Sequence, residues 1–213
     1  MADRTHKRGR KQGGRPLHDV PPVLIGAGIT EKRYFRHLRQ RLGLRLQIKD
    51  RYFGSEKPAE LSDRIDDVLS GAGEAICCYD ADTALNNPTV NNQLKRFREK
   101  YKDNQQVLLC ESLPSIEYWF LLHFCCITKL LPTADEAIRI LRQHLPDYDK
   151  TEHYLRQTAW VDRLCADGQL DKAAERAQAA EHCQEDHSYS HIYRALKLLS
   201  DRAAEEEPAR HKP

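Results

Sequence analysis

Pro22-Val-Leu-Ile-Gly-Ala-Gly28 runs directly into Ile29-Thr-Glu-Lys-Arg-Tyr-Phe-Arg-His-Leu-Arg-Gln-Arg-Leu42. The first stretch is a short apolar run closed by glycines, the pattern of a buried strand ending in a tight turn. In the second, Tyr34, Leu38 and Leu42 fall at i, i+4 and i+8, and Phe35 widens the stripe, so it reads as an amphipathic helix. Thr30 or the glycine turn can cap that helix. The same alternation then repeats. Leu44–Ile48 reads as a strand, and Ala59–Leu69 as a helix carrying Leu61, Ile65, Val68 and Leu69. Gly71-Ala-Gly73 breaks the chain before a third strand, Glu74-Ala-Ile-Cys-Cys-Tyr-Asp80. Asn91–Tyr101 reads as a polar helix and Gln106–Cys110 as a fourth strand. This order predicts an α/β fold with a mostly parallel four-stranded sheet flanked by helices. Right-handed crossovers gather the strand C-termini on one edge, where open α/β sheets bind ligands.

From Ser115 onward the pattern is helical, with Ile116–Cys126 almost entirely apolar and therefore expected to be buried. Further helices are predicted over Ala134–His144, Leu170–Cys183 and Ser190–Leu199, punctuated by Pro132 and Pro146. The expected organisation is a basic disordered tail over residues 1–21, an α/β domain over 22–126, a C-terminal helical extension over 127–200 and a frayed charged tail over 201–213.

The 213 residues suffice for one compact domain with elaborations. No run of eighteen apolar residues occurs, so no membrane span is expected, and the basic N-terminus lacks the apolar core of a secretory signal. A cytoplasmic protein is the expectation. The seven cysteines include the adjacent pairs Cys77–Cys78 and Cys125–Cys126, but no Cys-x-x-Cys. That arrangement suits free thiols packed as small hydrophobes better than zinc ligands or disulfides. The net charge of +2 conceals an asymmetry: Arg4, Lys7, Arg8, Arg10, Lys11 and Arg15 crowd Met1–Pro16 against a single acid, Asp3. Such a tail either contacts nucleic-acid phosphates or is a solvated leader.

Asp80-Ala81-Asp82 directly follows an apolar strand. If the strand geometry continues, alternation points both carboxylates the same way. Paired hard oxygen ligands at a strand end suit Mg²⁺ and metal-assisted attack on a phosphodiester, whereas helix capping or an Asx turn is the plainer alternative. Glu31 lies in the first turn of a helix, where it either complements the helix dipole or adds a third acid to the same edge. Glu117 falls in the apolar stretch Ser112-Leu-Pro-Ser-Ile-Glu-Tyr-Trp-Phe-Leu-Leu-His-Phe124. Burial there requires that it reach the edge or find a cationic partner. His123, in the same aromatic run, is expected to be a hydrogen-bonded core histidine.

Together these pieces resemble the RloB-like proteins, a branch of the Toprim-fold superfamily. That family begins with a strand and a motif of the form E-G-x-T-E followed by Y/F-F, matched here by Ala27-Gly28-Ile29-Thr30-Glu31 and Tyr34-Phe35. A strand ending in D-x-D matches Asp80-Ala81-Asp82, and N-P-x-F-E-x-W-L-L-L-H-F resembles Leu113–Phe124. A Tyr-x-Lys, here Tyr148-Asp149-Lys150, and a closing helix around Tyr189–Leu199 complete the pattern, which covers Pro22 to Leu199. The resemblance implies a Toprim-like fold and an Mg²⁺-dependent nuclease, with Mn²⁺ as a substitute ion. It implies an effector of bacterial anti-phage defence acting on RNA (tRNA foremost) or DNA beside an ABC-type or OLD-like ATPase. Asp80 and Asp82 would hold the metal, Glu31 and Glu117 would support or complete that site, and Lys150 would contact phosphate. A homodimer is the base-rate expectation. The position of the family's first glutamate is Ala27, which neither takes up a proton nor binds a metal. Because Glu31, Asp80, Asp82 and Glu117 all remain, replacement of one residue in an otherwise intact nuclease accounts for this better than decay to a binding protein. The alternative is a non-catalytic regulatory or nucleotide-sensing subunit with the same fold.

Overall fold

A computed structural model of the chain describes residues 20–55, 57–82, 87–181 and 187–210, with side chains through 204. The basic segment Met1–Pro16 lies outside the described residues. Strand β1 (Val23–Gly26) leads into helix α1 (Ile29–Leu42), then β2 (Gln47–Ile48), α2 (Pro58–Ser70), β3 (Ala75–Asp80), α3 (Pro88–Tyr101) and β4 (Val107–Leu113). Helices α4 (Ile116–Leu122), α5 (Ala134–Leu141), α6 (Glu152–Arg156), α7 (Ala159–Leu164) and α8 (Gln169–Glu181) follow. A short strand β5 (Tyr189–Ser190) and the closing helix α9 (Ile192–Arg210) end the chain.

The sheet order is β2-β1-β3-β4-β5, parallel except for β5. The expected parallel four-stranded sheet is present, and a fifth strand adds to it. Tyr189 and Ser190 were expected at the start of the closing helix. Instead they pair antiparallel with Leu113 and Ser112, and the helix begins at Ile192 and continues to Arg210. Two residues are too few to show a period in sequence, which is why that strand was illegible. Helices α6 and α7, of five and six residues, were missed for the same reason. Helix α4 stops at Leu122, short of the expected Cys126. Helix α3 starts earlier than expected: Pro88 takes the first helical position and the Asn87 side chain caps the N–H groups of Thr89 and Val90.

Strand alternation sends Ile76 and Cys78 to one face of the sheet and Ala75, Cys77 and Tyr79 to the other. The second face packs on α2 and α3 through Leu61, Ile65, Leu94 and Phe97. The first packs on α1 and on the helices after β4, in one continuous apolar cluster that reaches from Leu24 to Leu199. Its centre is aromatic. Trp119 Nε1 donates to the Tyr34 hydroxyl at 2.6 Å, and the Trp160 ring lies within 6.4 Å of those of Tyr34, Phe120, Tyr148 and Tyr154. All residues of α4 are buried, as expected of so apolar a stretch. Cys77, Cys78, Cys110, Cys125, Cys126 and Cys165 are free thiols, and Cys183 lies outside the described residues. No helix of the described residues is long and apolar enough to cross a membrane.

Trp160 ties α7 to this centre. Trp160→Ala is expected to lower unfolding stability by about 3–5 kcal/mol, the range for truncating a buried aromatic residue. Urea denaturation followed by circular dichroism checks this, with the midpoint falling and the slope unchanged.

Candidate functional site

Chain direction reverses between β1 and β3. From β1 the chain crosses outward to β2 over the α1 face, and from β3 it crosses the other way to β4 over the α3 face. The turns that leave these adjacent strands therefore part, opening a crevice at their C-terminal ends. The expected acids converge there.

Gly26 ends β1 where a Cβ would stand 2.7 Å from the Phe53 ring, so only glycine fits without displacing that ring. Ala27 is buried beside it. Its N–H donates to the Cys78 carbonyl at 3.2 Å and its own carbonyl accepts from the Gly54 N–H at 3.1 Å. Glu31, in the first turn of α1, folds back so that Oε2 accepts from the Gly28 N–H at 3.0 Å. The capping role is thus realised, but the carboxyl is also buried, at 3% exposure. Burial pushes its pKa up to about 7; the Glu117 charge adds to the rise, while backbone N–H groups and the Lys150 charge oppose it.

Asp80, the last residue of β3, accepts from the Ile116 N–H at 3.0 Å through Oδ1. Burial, followed by the charges of Glu31 and Glu117, holds its carboxyl well above the usual range; Lys150 opposes this and Asp82 adds to it. The Ala81 N–H donates to the Ser112 carbonyl at 2.9 Å, so the ladder continues one residue beyond Asp80. Asp82 is half-buried and borders the undescribed residues 83–86.

Glu117 is fully buried and takes three partners: Ser115 Oγ at 2.6 Å, the Tyr148 hydroxyl at 2.9 Å and Lys150 Nζ at 3.0 Å. The cationic partner that its burial required is Lys150. Burial works against the Lys150 charge, yet Glu117, with Asp80 and Glu31 beyond it, lifts the ammonium above its ordinary pKa. One electrostatic site thus joins Glu31, Asp80, Glu117 and Lys150, with Asp82 adjoining. Among the described residues, no three His, Cys, Asp or Glu side chains form a group that could hold a metal ion by themselves.

His123 lies outside this site. Its Nδ1 is 2.6 Å from the Leu164 carbonyl, and burial pushes its pKa down to about 4, so it is a neutral core histidine as expected. A second buried carboxylate, Glu111, went unread in the sequence. It projects to the opposite face of the sheet, where Arg98 grips both its oxygens at 2.6 Å, Tyr79 donates at 2.6 Å and Tyr189 also donates. Burial raises the Glu111 pKa, but these partners, Arg98 foremost, bring it below the usual range. An acid between Leu109 and Leu113 in a central strand was the available signal. With every oxygen occupied, Glu111 fastens α3 and β5 to the sheet.

The family model described as RloB-like protein matches residues 23–199, a span that contains every acid of the site and Lys150. No curated protein and no solved structure matches the chain.

Folded Glu31 holds its proton more tightly than the unfolded chain does, so its contribution to stability is full below its ordinary value of 4.5 and is lost as the pH rises through about 7. Glu31→Gln keeps the acceptor for Gly28 and removes the titration. The variant is expected to be more stable than the parent at pH 8 by roughly 1–3 kcal/mol and no more stable at pH 4. Denaturation midpoints across that range check this.

Proposed function

The chain belongs to the RloB-like family over residues 23–199, and from that premise we propose that its strand-end carboxylates are the site of an Mg²⁺-dependent Toprim nuclease silenced by alanine at position 27. The observation that carries this reading is the gathering of Glu31, Asp80 and Glu117 in the crevice between β1 and β3, with Lys150 as the cation paired there. Buried carboxylates that also raise one another favour a proton or a cation, and the upward direction for Glu31 and Asp80, from burial first and neighbouring acids second, supports this reading. The donors are all oxygen, which suits Mg²⁺ or Mn²⁺. A complete protein cage is not required, because Mg²⁺ is ordinarily held by one or two carboxylates with water and substrate phosphate oxygens. Asp80 and Asp82 would hold the ion, with Glu31 beside them. A bound Mg²⁺ supplies neutralisation of the charge that develops on a phosphodiester under attack.

The chain's own groups divide the remaining work. The Ile116 N–H fixes the Asp80 carboxylate, and Glu117 holds the Lys150 ammonium, about half exposed, where it can meet a substrate phosphate. Position 27 is the station for the group that takes up a proton, and the methyl of Ala27 cannot do so. RNA, with tRNA foremost, is the proposed substrate and DNA the alternative. An effector role in anti-phage defence and control by an ABC-type or OLD-like ATPase rest on the family resemblance.

Ala27→Glu is expected to create Mg²⁺-dependent cleavage of RNA at a rate on the order of 10²-fold or more above the parent, the usual worth of a positioned acid–base group. Adding Asp80→Asn to that variant abolishes the cleavage. Gel assays with labelled tRNA, mRNA and DNA, with and without the cognate ATPase, measure both effects. Intact substrates under every condition would overturn the nuclease reading and favour a non-catalytic regulatory or nucleotide-sensing subunit.

A further inference from the structure

Basic residues are unevenly spread along this chain. Of its 34 Lys and Arg and 32 Asp and Glu, residues 32–51 hold eight of the former and only Asp50 of the latter. Two of the eight serve the fold: Arg33 pairs with Glu152 and Arg41 with Asp162, which ties α1 to α6 and α7. The other six gather along β2. Lys32, Arg36 and Arg39 fall at i, i+4 and i+7 of α1 and so form one stripe. Their contacts turn that stripe toward β2: Lys32 and Arg36 each reach Asp50 at 3.4 Å, and Arg39 donates to the Leu46 carbonyl at 3.2 Å. Arg45 precedes β2, and Lys49 and Arg51 follow it.

This row has little acid to balance it. Lys32 and Arg36 share Asp50, whose side chain is 78% exposed, and Arg51 meets Asp67 at 3.2 Å. Lys49 is exposed and has no partner among the described residues. Like charges three and four residues apart on a helix repel, so the stripe does not serve the stability of α1. β2 is the outermost strand, with no further strand beyond it among the described residues. The row also reaches the site. Lys32 follows Glu31 directly, and its ammonium stands 5.9 Å from the centre of the Phe53 ring, the ring against which Gly26 packs. Just past Arg51 the chain turns back to position 27, where the Gly54 N–H meets the Ala27 carbonyl.

We propose that this α1–β2 flank binds the phosphate backbone of the substrate nucleic acid and leads it into the crevice between β1 and β3. The inference takes its ligand from the nuclease reading of that crevice, but binding here needs neither the metal nor a proton-accepting group at position 27. Four of the six cations are arginines, whose planar forks match phosphate oxygens. An extended polyanion laid along the row relieves the repulsion within it. Each phosphate so neutralised releases counterions, which makes the contact dependent on salt and indifferent to base sequence. The flank therefore holds and orients the substrate and leaves the choice of cut to the crevice.

Fluorescence anisotropy of the full chain with labelled single-stranded RNA, and with DNA of the same sequence, tests this in EDTA over a salt series. Without metal nothing is cut, so binding is read apart from cleavage, and the two arms tell which backbone is held more tightly. A triple variant, Arg36→Gln, Lys49→Gln and Arg51→Gln, is expected to lose affinity at least about tenfold and to lower the slope of log affinity against log salt by about 2. A control with the same net charge, Lys102→Gln, Lys172→Gln and Lys197→Gln on the β4 side of the sheet, should bind as the parent does. Circular dichroism reports folding. If the triple variant fails to fold, Lys49→Glu, a change at an exposed and unpartnered side chain, decides alone by the same loss of affinity. A parent that binds neither RNA nor DNA overturns the inference, and so does a flank variant that binds no more weakly than the control. The nuclease reading fails separately: a chain that binds through this flank, and whose Ala27→Glu form cuts nothing, refutes the cleavage and keeps the flank.

Discussion

Burying a carboxylate costs several kcal/mol unless a cation or a set of donors replaces the lost water. This chain places Glu31, Asp80 and Glu117 in one crevice and supplies Lys150 as their paired cation. Glu117 is well provided for, with a hydroxyl from Ser115, another from Tyr148 and the Lys150 ammonium. Glu31 accepts only from backbone N–H groups and Asp80 from the Ile116 N–H, and both are pushed toward the protonated form. At the parting of β1 and β3, Glu31 and Asp80 thus lack the hydrogen-bonded cation that Glu117 has in Lys150.

That deficit ties the later helices to the sheet. Tyr148 and Lys150 lie between α5 and α6, far in sequence from the strand ends they serve. They are held in place because Trp160, Tyr154 and Phe120 pack around the Tyr148 ring in the same apolar cluster that contains Leu24 and Ile76 of the sheet. The helical extension therefore completes the site as well as covering one face of the sheet. Glu111 shows the contrasting arrangement, a buried carboxylate whose oxygens are filled by Arg98, Tyr79 and Tyr189, with its pKa held low. Glu111 and Glu117 thus both meet side-chain hydroxyls and a cation, whereas Glu31 and Asp80 accept from backbone N–H groups.

Much of this was legible in the residues, and what was not has physical causes. Pro22–Leu42 and Glu74–Asp80 carry their period openly, because a parallel strand buried on both faces is continuously apolar and its helix is striped. Glu31 and Asp80 could be placed at the strand ends from that pattern, and Glu117 could be marked as needing a cation from the apolar residues around it. The identity of that cation as Lys150, and the hydroxyl from Tyr148, depend on tertiary packing that no local period encodes. Strand β5 was hidden because its two residues are recruited by the edge of β4, and Glu111 because its partners come from α3 and β5.

The central claim is that these carboxylates act as one set that a divalent cation relieves. A ¹³C-detected carboxyl titration of the chain, repeated with Mg²⁺, addresses it directly. Glu31 is predicted to titrate near 7 in the absence of metal and to move to lower pH when Mg²⁺ is added. A Glu31 that titrates in the ordinary carboxylate range and ignores Mg²⁺ would contradict the account.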